Sequence, residues 1–378
     1  MRVLTVVRTL KMGGMERVAV NLADALADAG HESHLMYFKG RKKSLAPENP
    51  AVRVHFFDVS AAARLTGIGL LLELAARLLN AIIRKSYFIP SGAFGGWLFA
   101  RRLRKLEREL GSFDRIIFRG FGTFEMVWSF RDPRGLYVLE NILRSDRRWL
   151  ERAQARLLLD GRKLVAVSSG VKQSVERAQG VLGFAPASLR VITNPCPVDR
   201  IRQLMLEPCD EIPDRPYLIN VARMVPQKNH ALLLEAYARS RRAMPLVLVG
   251  DGPLRSELEA RAKALGIGDE VVFAGARVNP YPWMRGASLF VLSSRFEGLG
   301  IVLLEALACA TPIISVDCPG GVRDVFHGPL EPYLCENTPD ALAALIDRTL
   351  QAGTYRVDEA WLQPFRPETV IAQFLAPA

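Results

Sequence analysis

Three observations predict an α/β protein built from two doubly wound parallel-sheet domains. Short apolar runs alternate with helical patterns along the whole chain, the alternation that gives parallel sheets with covering helices. The 378 residues exceed what one core ordinarily holds. A stretch rich in Pro, Asp and Glu at 194–216 reads as a linker and divides the runs into two sets of five or six.

In the front half the runs fall at 3–7, 34–38, 52–57, 116–118, 136–139 and 164–167. In the back half they fall at 217–221, 246–249, 271–273, 289–292 and 313–316. Each is short and almost wholly apolar, as strands buried on both faces must be. The expected domains are 1–197 and 198–355, with a C-terminal segment, 356–378, packing back on the first. Its helix-like part, 367–374, follows a Pro-rich loop.

The most apolar stretch, 65–83, is long enough to raise the question of a membrane span. Glu73 and Arg77 stand near its middle, where each would be costly in hydrocarbon, so a span is rejected. What is left is a buried helix or one lying in the membrane interface. A second helix follows, apolar around Trp97 and basic from Arg101 to Arg108. It reads equally as a domain helix with a solvated face or as a membrane-surface element.

Charge is divided unevenly. Residues 1–200 hold 33 Lys and Arg against 18 Asp and Glu, a balance of +15; residues 201–378 hold 17 against 21, a balance of −4. The two sum to the net +11. The front half is therefore suited to an anionic partner. No basic stripe interleaved with aromatics or other nucleic-acid motif is present, so an anionic membrane surface is the better match. Five scattered cysteines without a C-x-x-C pair argue against disulfides and zinc and for a reducing compartment. The chain opens on an apolar strand and shows no signal-peptide pattern.

Glycine and charge cluster after the strands. After the first comes R-T-L-K-M-G-G-M-E-R-V over 8–18, where Gly13 and Gly14 let backbone amides approach a ligand at a helix N-terminus. A tight turn without a ligand is the other reading. It is not a G-x-G-x-x-G, and a dinucleotide site is not supported. After 217–221 comes V-A-R-M-V-P-Q-K-N-H, in which Arg223 and Lys228 can converge on one anion. Next are V-G-D-G-P with Gly252, a turn or room for a nucleotide, and A-G-A-R-V with Arg277, where backbone groups could read a base.

The densest signal is S-S-R-F-E-G-L-G-I-V-L-L-E over 293–305. Glu297 falls on the turn after a strand. Glu305 falls about two turns into the following helix, roughly 12 Å away at 1.5 Å per residue and near the same face. Between them the amides of Gly298, Leu299, Gly300 and Ile301 are free for an anion. Two separated hydroxyl acceptors with an anion site between them match a sugar nucleotide.

Taken together, G-G-M-E-R, R-M-V-P-Q-K-N, G-D-G-P and the E-x7-E pair resemble the GT4-type retaining glycosyltransferases of the GT-B fold. The match runs through both halves in order. That resemblance implies two Rossmann-like domains facing across a cleft. It implies that Arg223 and Lys228 hold the donor diphosphate, that Glu305 binds the ribose, that Glu297 contacts the transferred sugar, and that Gly14 closes on phosphate. It implies no cofactor and no metal beyond a UDP- or GDP-sugar donor. The family's front-domain His is missing; Glu140-Asn141 follows strand 136–139, so Glu140 is taken for part of that role. The loop R-G-F-G at 119–122 is a second acceptor-side candidate.

The function expected is retaining transfer to a lipid-linked or lipopolysaccharide-type glycan by a cytoplasmic protein, peripheral on the inner face of the membrane. Here the donor phosphate rather than a protein carboxylate takes the acceptor proton. An epimerase or hydrolase on the same fold, or a non-catalytic nucleotide-binding protein of the membrane surface, are the alternatives.

Overall fold

A computed structural model describes residues 1–11, 13–40, 45–82, 88–143 and 149–377. Met12 of the glycine loop, Ile83 at the end of the apolar stretch and the side chain of Glu73 lie outside this description. Contacts divide the chain into two units. Unit 1 holds residues 1–167, 171–195 and 367–378, and unit 2 holds 168–170 and 196–366.

In unit 1 the strands are β1 (Arg2–Val7), β2 (Glu32–Tyr37), β3 (Arg53–Phe56), β4 (Arg115–Arg119), β5 (Gly135–Leu139), β6 (Lys163–Ala166) and β7 (Ser188–Val191). They form one parallel sheet in the order β3-β2-β1-β4-β5-β6-β7. Its helices are α1 (Gly14–Asp28), α2 (Val59–Arg64), α3 (Gly67–Ile82), α4 (Phe88–Leu110), α5 (Phe121–Met126), α6 (Trp149–Leu159) and α7 (Ser169–Leu182). On α1 the apolar positions Val18, Leu22 and Leu26 recur at helical spacing and are buried, which fastens the helix to the sheet.

In unit 2, α8 (Val198–Leu204) precedes β8 (Leu218–Val221), α9 (His230–Arg239), β9 (Leu246–Val249), α10 (Arg255–Ala264), β10 (Val271–Gly275), α11 (Tyr281–Gly286) and β11 (Leu289–Leu292). Then come α12 (Ile301–Ala308), β12 (Ile313–Val316), α13 (Val322–Val325), β13 (Leu334–Cys335) and α14 (Pro339–Gln351). The parallel sheet runs β10-β9-β8-β11-β12-β13. Strand β11, L-F-V-L, is buried at all four positions, as a central strand covered on both faces requires. The last helix, α15 (Pro367–Leu375), packs on α1 in unit 1, where Arg115 Nη2 donates to the Ala376 carbonyl at 3.2 Å.

Two strands escaped the sequence reading. Both β7, S-L-R-V, and β13, only L-C, are edge strands that need not be apolar on both faces. The stretch 194–216 is also more than a linker: it contains α8, which packs on α11 and α12. The apolar stretch at 65–83 is a connection at Leu65 and Thr66 followed by α3.

Strand order reverses between β1 and β4 in unit 1 and between β8 and β11 in unit 2. At such a point the loops leaving the carboxyl ends of two neighbouring strands diverge and leave a crevice for a ligand. The marked residues lie on the loops after these four strands, or beside them.

Candidate active site

In unit 2 the loops after β8 and β11 are laced together. Ser293 Oγ donates to the Lys228 carbonyl at 3.0 Å, the Arg295 amide to the Gln227 carbonyl at 2.8 Å, and Gln227 Nε2 to the Phe296 carbonyl at 3.1 Å. This lacing brings Lys228, at the end of a single 3-10 turn, against Glu297. Their Nζ and Oε1 atoms are 2.6 Å apart. Ser294 Oγ donates to the same carboxylate oxygen at 2.6 Å. Glu297 is only 5% exposed, and these two donors satisfy a polar group that water scarcely reaches.

Arg223 is exposed, and its guanidinium has no hydrogen-bond or ion-pair partner among the described residues. The two cations on this loop are thus unequal. Lys228 already has an anion, whereas Arg223 still presents its planar fork.

After Glu297 the chain turns through Gly300, which has φ of +81° and caps α12 in the left-handed region that glycine enters without strain. Residues 298–300 are buried, yet the amides of Gly298, Leu299, Gly300 and Ile301 donate to no described residue. The first amides of a helix have no partner within it, and four in succession at this N-terminus form a seat for an anion. The helix starts at Ile301, so Glu305 is one turn into it rather than two. The expected helical spacing from Glu297 therefore does not apply, because half of the interval is loop. Glu305 Oε1 accepts a hydrogen bond from Tyr281 Oη at 3.2 Å.

The remaining positions of unit 2 have local explanations. A side chain at Gly252 would place its Cβ 2.5 Å from the Met224 carbonyl oxygen, and one at Gly250 would come within 2.0 Å of the Ala222 oxygen. Both glycines let the β9 loop press on the loop that carries Arg223. Arg277 is held by Glu211 and lies 5.4 Å from the Trp283 ring centre, so its guanidinium is engaged within the protein.

One brace went unread. Gly320 and Gly321, after β12, support the Glu297 turn: a Cβ on Gly320 would sit 1.6 Å from the Glu297 carbonyl oxygen, and one on Gly321 would sit 2.5 Å from that of Gly298. The signal was present as C-P-G-G directly after a strand.

In unit 1, Gly13 is the N-cap of α1 in extended conformation, and Thr9 Oγ1 donates to Glu16 Oε1 at 2.8 Å in the first turn. A Cβ at Gly14 would meet nothing within 4 Å. Packing within the protein therefore does not require glycine there, and the open side leaves room for a ligand.

Glu140, after β5, forms a buried cluster with Arg119 at the end of β4 and Asn194 beyond β7. Arg119 Nη2 lies 2.6 Å from Glu140 Oε1, and Arg119 Nε donates to the same oxygen at 2.8 Å. Arg119 Nη2 also donates to Asn194 Oδ1 at 2.6 Å, while Asn194 Nδ2 reaches Glu140 Oε2 at 3.3 Å. Arg119 is fully buried, and its Nη1 has no partner among the described residues. The loop that begins R-G-F-G thus contributes its arginine to the support of Glu140. Asn194, which the sequence reading assigned to the linker, completes that support.

Two family models match the chain: Glycosyltransferase Family 4 over residues 12–200, and Glycosyl transferases group 1 over residues 208–359. Among curated proteins, the chain is 28% identical over 331 residues to the N-acetylgalactosamine-N,N'-diacetylbacillosaminyl-diphospho-undecaprenol 4-alpha-N-acetylgalactosaminyltransferase of Campylobacter jejuni. That match covers 84% of this chain and 81% of the relative. The lipopolysaccharide 1,6-galactosyltransferase of Escherichia coli is 31% identical over 178 residues, covering 45% of this chain and 47% of that enzyme. Among solved structures, the Anabaena HepE protein in complex with UDP aligns at a TM-score of 0.72 and 18% identity, over 99% of this chain and 98% of the other, which shows a shared fold. With the first family model spanning half of the chain and the second most of unit 2, the protein belongs to the family 4 glycosyltransferases, built on the GT-B fold.

Proposed function

We propose that the enzyme transfers a sugar, with retention at the anomeric carbon, from a UDP- or GDP-sugar to a lipid-linked or lipopolysaccharide-type glycan. One observation carries the reading of the donor. The unpaired Arg223, the Lys228–Glu297 pair and four unpaired amides meet at the strand-order reversal of unit 2. Charge developing on a leaving diphosphate is stabilised by Arg223, by Lys228 and by the amides of 298–301, the last two held in place before reaction. Glu297, fixed by Lys228 and Ser294, accepts hydrogen bonds from hydroxyls of the transferred sugar, and Glu305 accepts them from the ribose. A donor phosphate oxygen takes the acceptor proton, so the scheme needs neither a protein nucleophile nor a metal. On the acceptor side, Glu140 is the group available, oriented by Arg119.

Support for a lipid-linked acceptor comes from the Campylobacter relative, whose name specifies a diphospho-undecaprenol substrate. The surface of unit 1 agrees with it. On α3, Ile68 is 67% exposed, Leu71 68% and Leu78 71%. Trp97 on the neighbouring α4 is also exposed, with Arg101 over its ring. No helix among the described residues is long and apolar enough to cross a membrane. An apolar helix face beside cationic side chains suits docking on an anionic membrane surface, which we assign to the cytoplasmic face.

The test is a thermal-shift screen of nucleotides and nucleotide sugars, followed by transfer assays on lipid-linked acceptors with the product anomer read by NMR. One donor raising the melting temperature and giving an α-linked product from an α-donor is the expected result. Rapid consumption of the donor without acceptor would point to an epimerase or hydrolase. Co-sedimentation with anionic but not neutral vesicles, lost in Leu71→Lys/Leu78→Lys, checks the membrane surface.

A further inference from the structure

Unit 1 contains a cavity of about 100 Å3 whose lining does not include Arg119, Glu140 or Asn194. Arg8 and Lys39 line it together with Val59, Phe94 and Met126. The two cations are placed by the sheet. Arg8 follows β1 and Lys39 comes two residues after β2; these strands pair with Val7 opposite Tyr37. The amides of Phe38 and Lys39 both donate to the Arg8 carbonyl, at 3.2 and 2.9 Å, which keeps the two positions side by side. Gly122 leaves room for Arg8, since a Cβ there would come within 3.0 Å of the guanidinium. Glu125 also lines the space, and burial pushes its carboxyl upward while Arg8 opposes that shift. Two cations against one acid leave the lining net positive.

The apolar wall comes from α2, α4 and α5, and Leu72 adds a side chain from α3. The same helix turns Leu71 and Leu78 to solvent. The cavity is too small for a whole lipid chain and admits only one end of it. Cations and hydrocarbon in one lining, with an exposed apolar helix beside it, match a phosphate ester with an apolar tail.

We propose that this cavity binds the phosphate-proximal end of a lipid phosphate or diphosphate, with Arg8 and Lys39 on the phosphate, the first apolar units against Val59, Phe94 and Met126, and the remaining chain along α3. The proposal rests on the reading that the acceptor is lipid-linked, and adds where and by which end it is held.

Farnesyl diphosphate is the probe, titrated by calorimetry into the full chain carrying Arg223→Ala/Lys228→Ala, so that the donor-diphosphate residues cannot answer. Inorganic diphosphate and farnesol are the controls. The expected result is saturable binding of farnesyl diphosphate, at least ten-fold tighter than either control. Arg8→Ala/Lys39→Ala should weaken it at least ten-fold, and Ala63→Leu, which narrows the cavity, should weaken it without removing a charge. Melting curves verify that each variant folds. Equal affinity for inorganic diphosphate would overturn the proposal in favour of a simple anion site, and indifference to both substitutions would place binding elsewhere. If the wild-type enzyme transfers sugar to lipid-linked acceptors while farnesyl diphosphate binding ignores the cavity, this inference fails and the proposed function stands. If no donor or acceptor turns over, it is the proposed function that fails.

Discussion

Lys228 and Glu297 lie 69 residues apart in the chain and 2.6 Å apart in space, with Ser294 on the same carboxylate oxygen. The pair fixes a cation and an acceptor where the loops of β8 and β11 meet. Because each orients the other, their effects on rate should not add. Lys228→Ala and Glu297→Gln are each expected to lower kcat by on the order of 10²–10³, as losing one preorganised electrostatic contact does. The double variant should be little worse than the worse single one. Independent losses that multiply in steady-state kinetics would show that the pair does not act as a unit.

Arg119 is a fully buried cation, and its role is to support Glu140. Replacing it by methionine leaves a carboxylate that is 10% exposed with Asn194 as its one partner among the described residues, a change expected to cost about 3–5 kcal/mol. Removing both charges, in Arg119→Met/Glu140→Leu, should recover much of that loss, because a buried pair adds little net stability over an apolar replacement. Urea unfolding of the three proteins decides it. A double variant less stable than Arg119→Met alone would contradict the electrostatic account.

Much of the scaffold was legible in the residues, and the reasons differ from one element to the next. β11 is readable because a central parallel strand must be apolar at every position, and L-F-V-L is. β7 is not readable, because an edge strand tolerates the Arg in S-L-R-V. The positions of Lys228 and Glu297 followed from strand ends and glycine turns, but their pairing depends on β8 and β11 being neighbours, and strand order is not written in local sequence. Glu305 reads a turn too deep, since apolar residues directly after G-L-G hide that Gly300 delays the helix. Arg119 reads as the start of an acceptor-side loop at a strand end. It is buried because Glu140 and Asn194, distant in sequence, satisfy it.

Gly320 should be intolerant of any side chain. Its φ is +119°, and a Cβ there would lie 1.6 Å from the Glu297 carbonyl oxygen. Gly320→Ala therefore combines backbone strain of about 1–3 kcal/mol with a forced shift of the Glu297 turn. Reduced thermal stability together with loss of donor binding in calorimetry is the expected outcome. Retained donor affinity would mean that the turn can shift without harm to the site.

Acid should weaken unit 1 through a histidine pair on its sheet. His34 Nδ1 and His55 Nε2 are 2.8 Å apart, and His34 Nε2 faces Glu32 at 3.2 Å. Burial, with His34, Arg102 and Arg53 adding to it, pushes His55 down from 6.5 to about 4, and burial lowers His34 despite Glu32. A histidine depressed on folding is protonated first in the unfolded chain, so stability is full above pH 6.5 and is lost as pH falls from 6.5 towards 4. Melting temperature should decline across that window, and less steeply in His55→Gln, where the group that titrates is gone. An unchanged slope in that variant would assign the acid sensitivity to other groups, among them buried His230, which is also lowered to about 4.

Tyr281 donates to Glu305 at 3.2 Å from the start of α11 and so fixes the carboxylate proposed to take the ribose. Because ribose contacts are the same in ground and transition states, such a positioning residue should act on KM and not on kcat. A hydrogen bond to a carboxylate contributes about 1.5–3 kcal/mol, so Tyr281→Phe should raise the donor KM roughly ten- to a hundred-fold with kcat nearly unchanged. Glu305→Ala, which removes the acceptor itself, should raise it further. The nucleotide alone separates this from a general loosening of the fold: its affinity should fall in parallel with the donor's, while the acceptor KM stays put. A fall in kcat at constant donor KM would instead put Tyr281 and Glu305 in contact with the reacting centre.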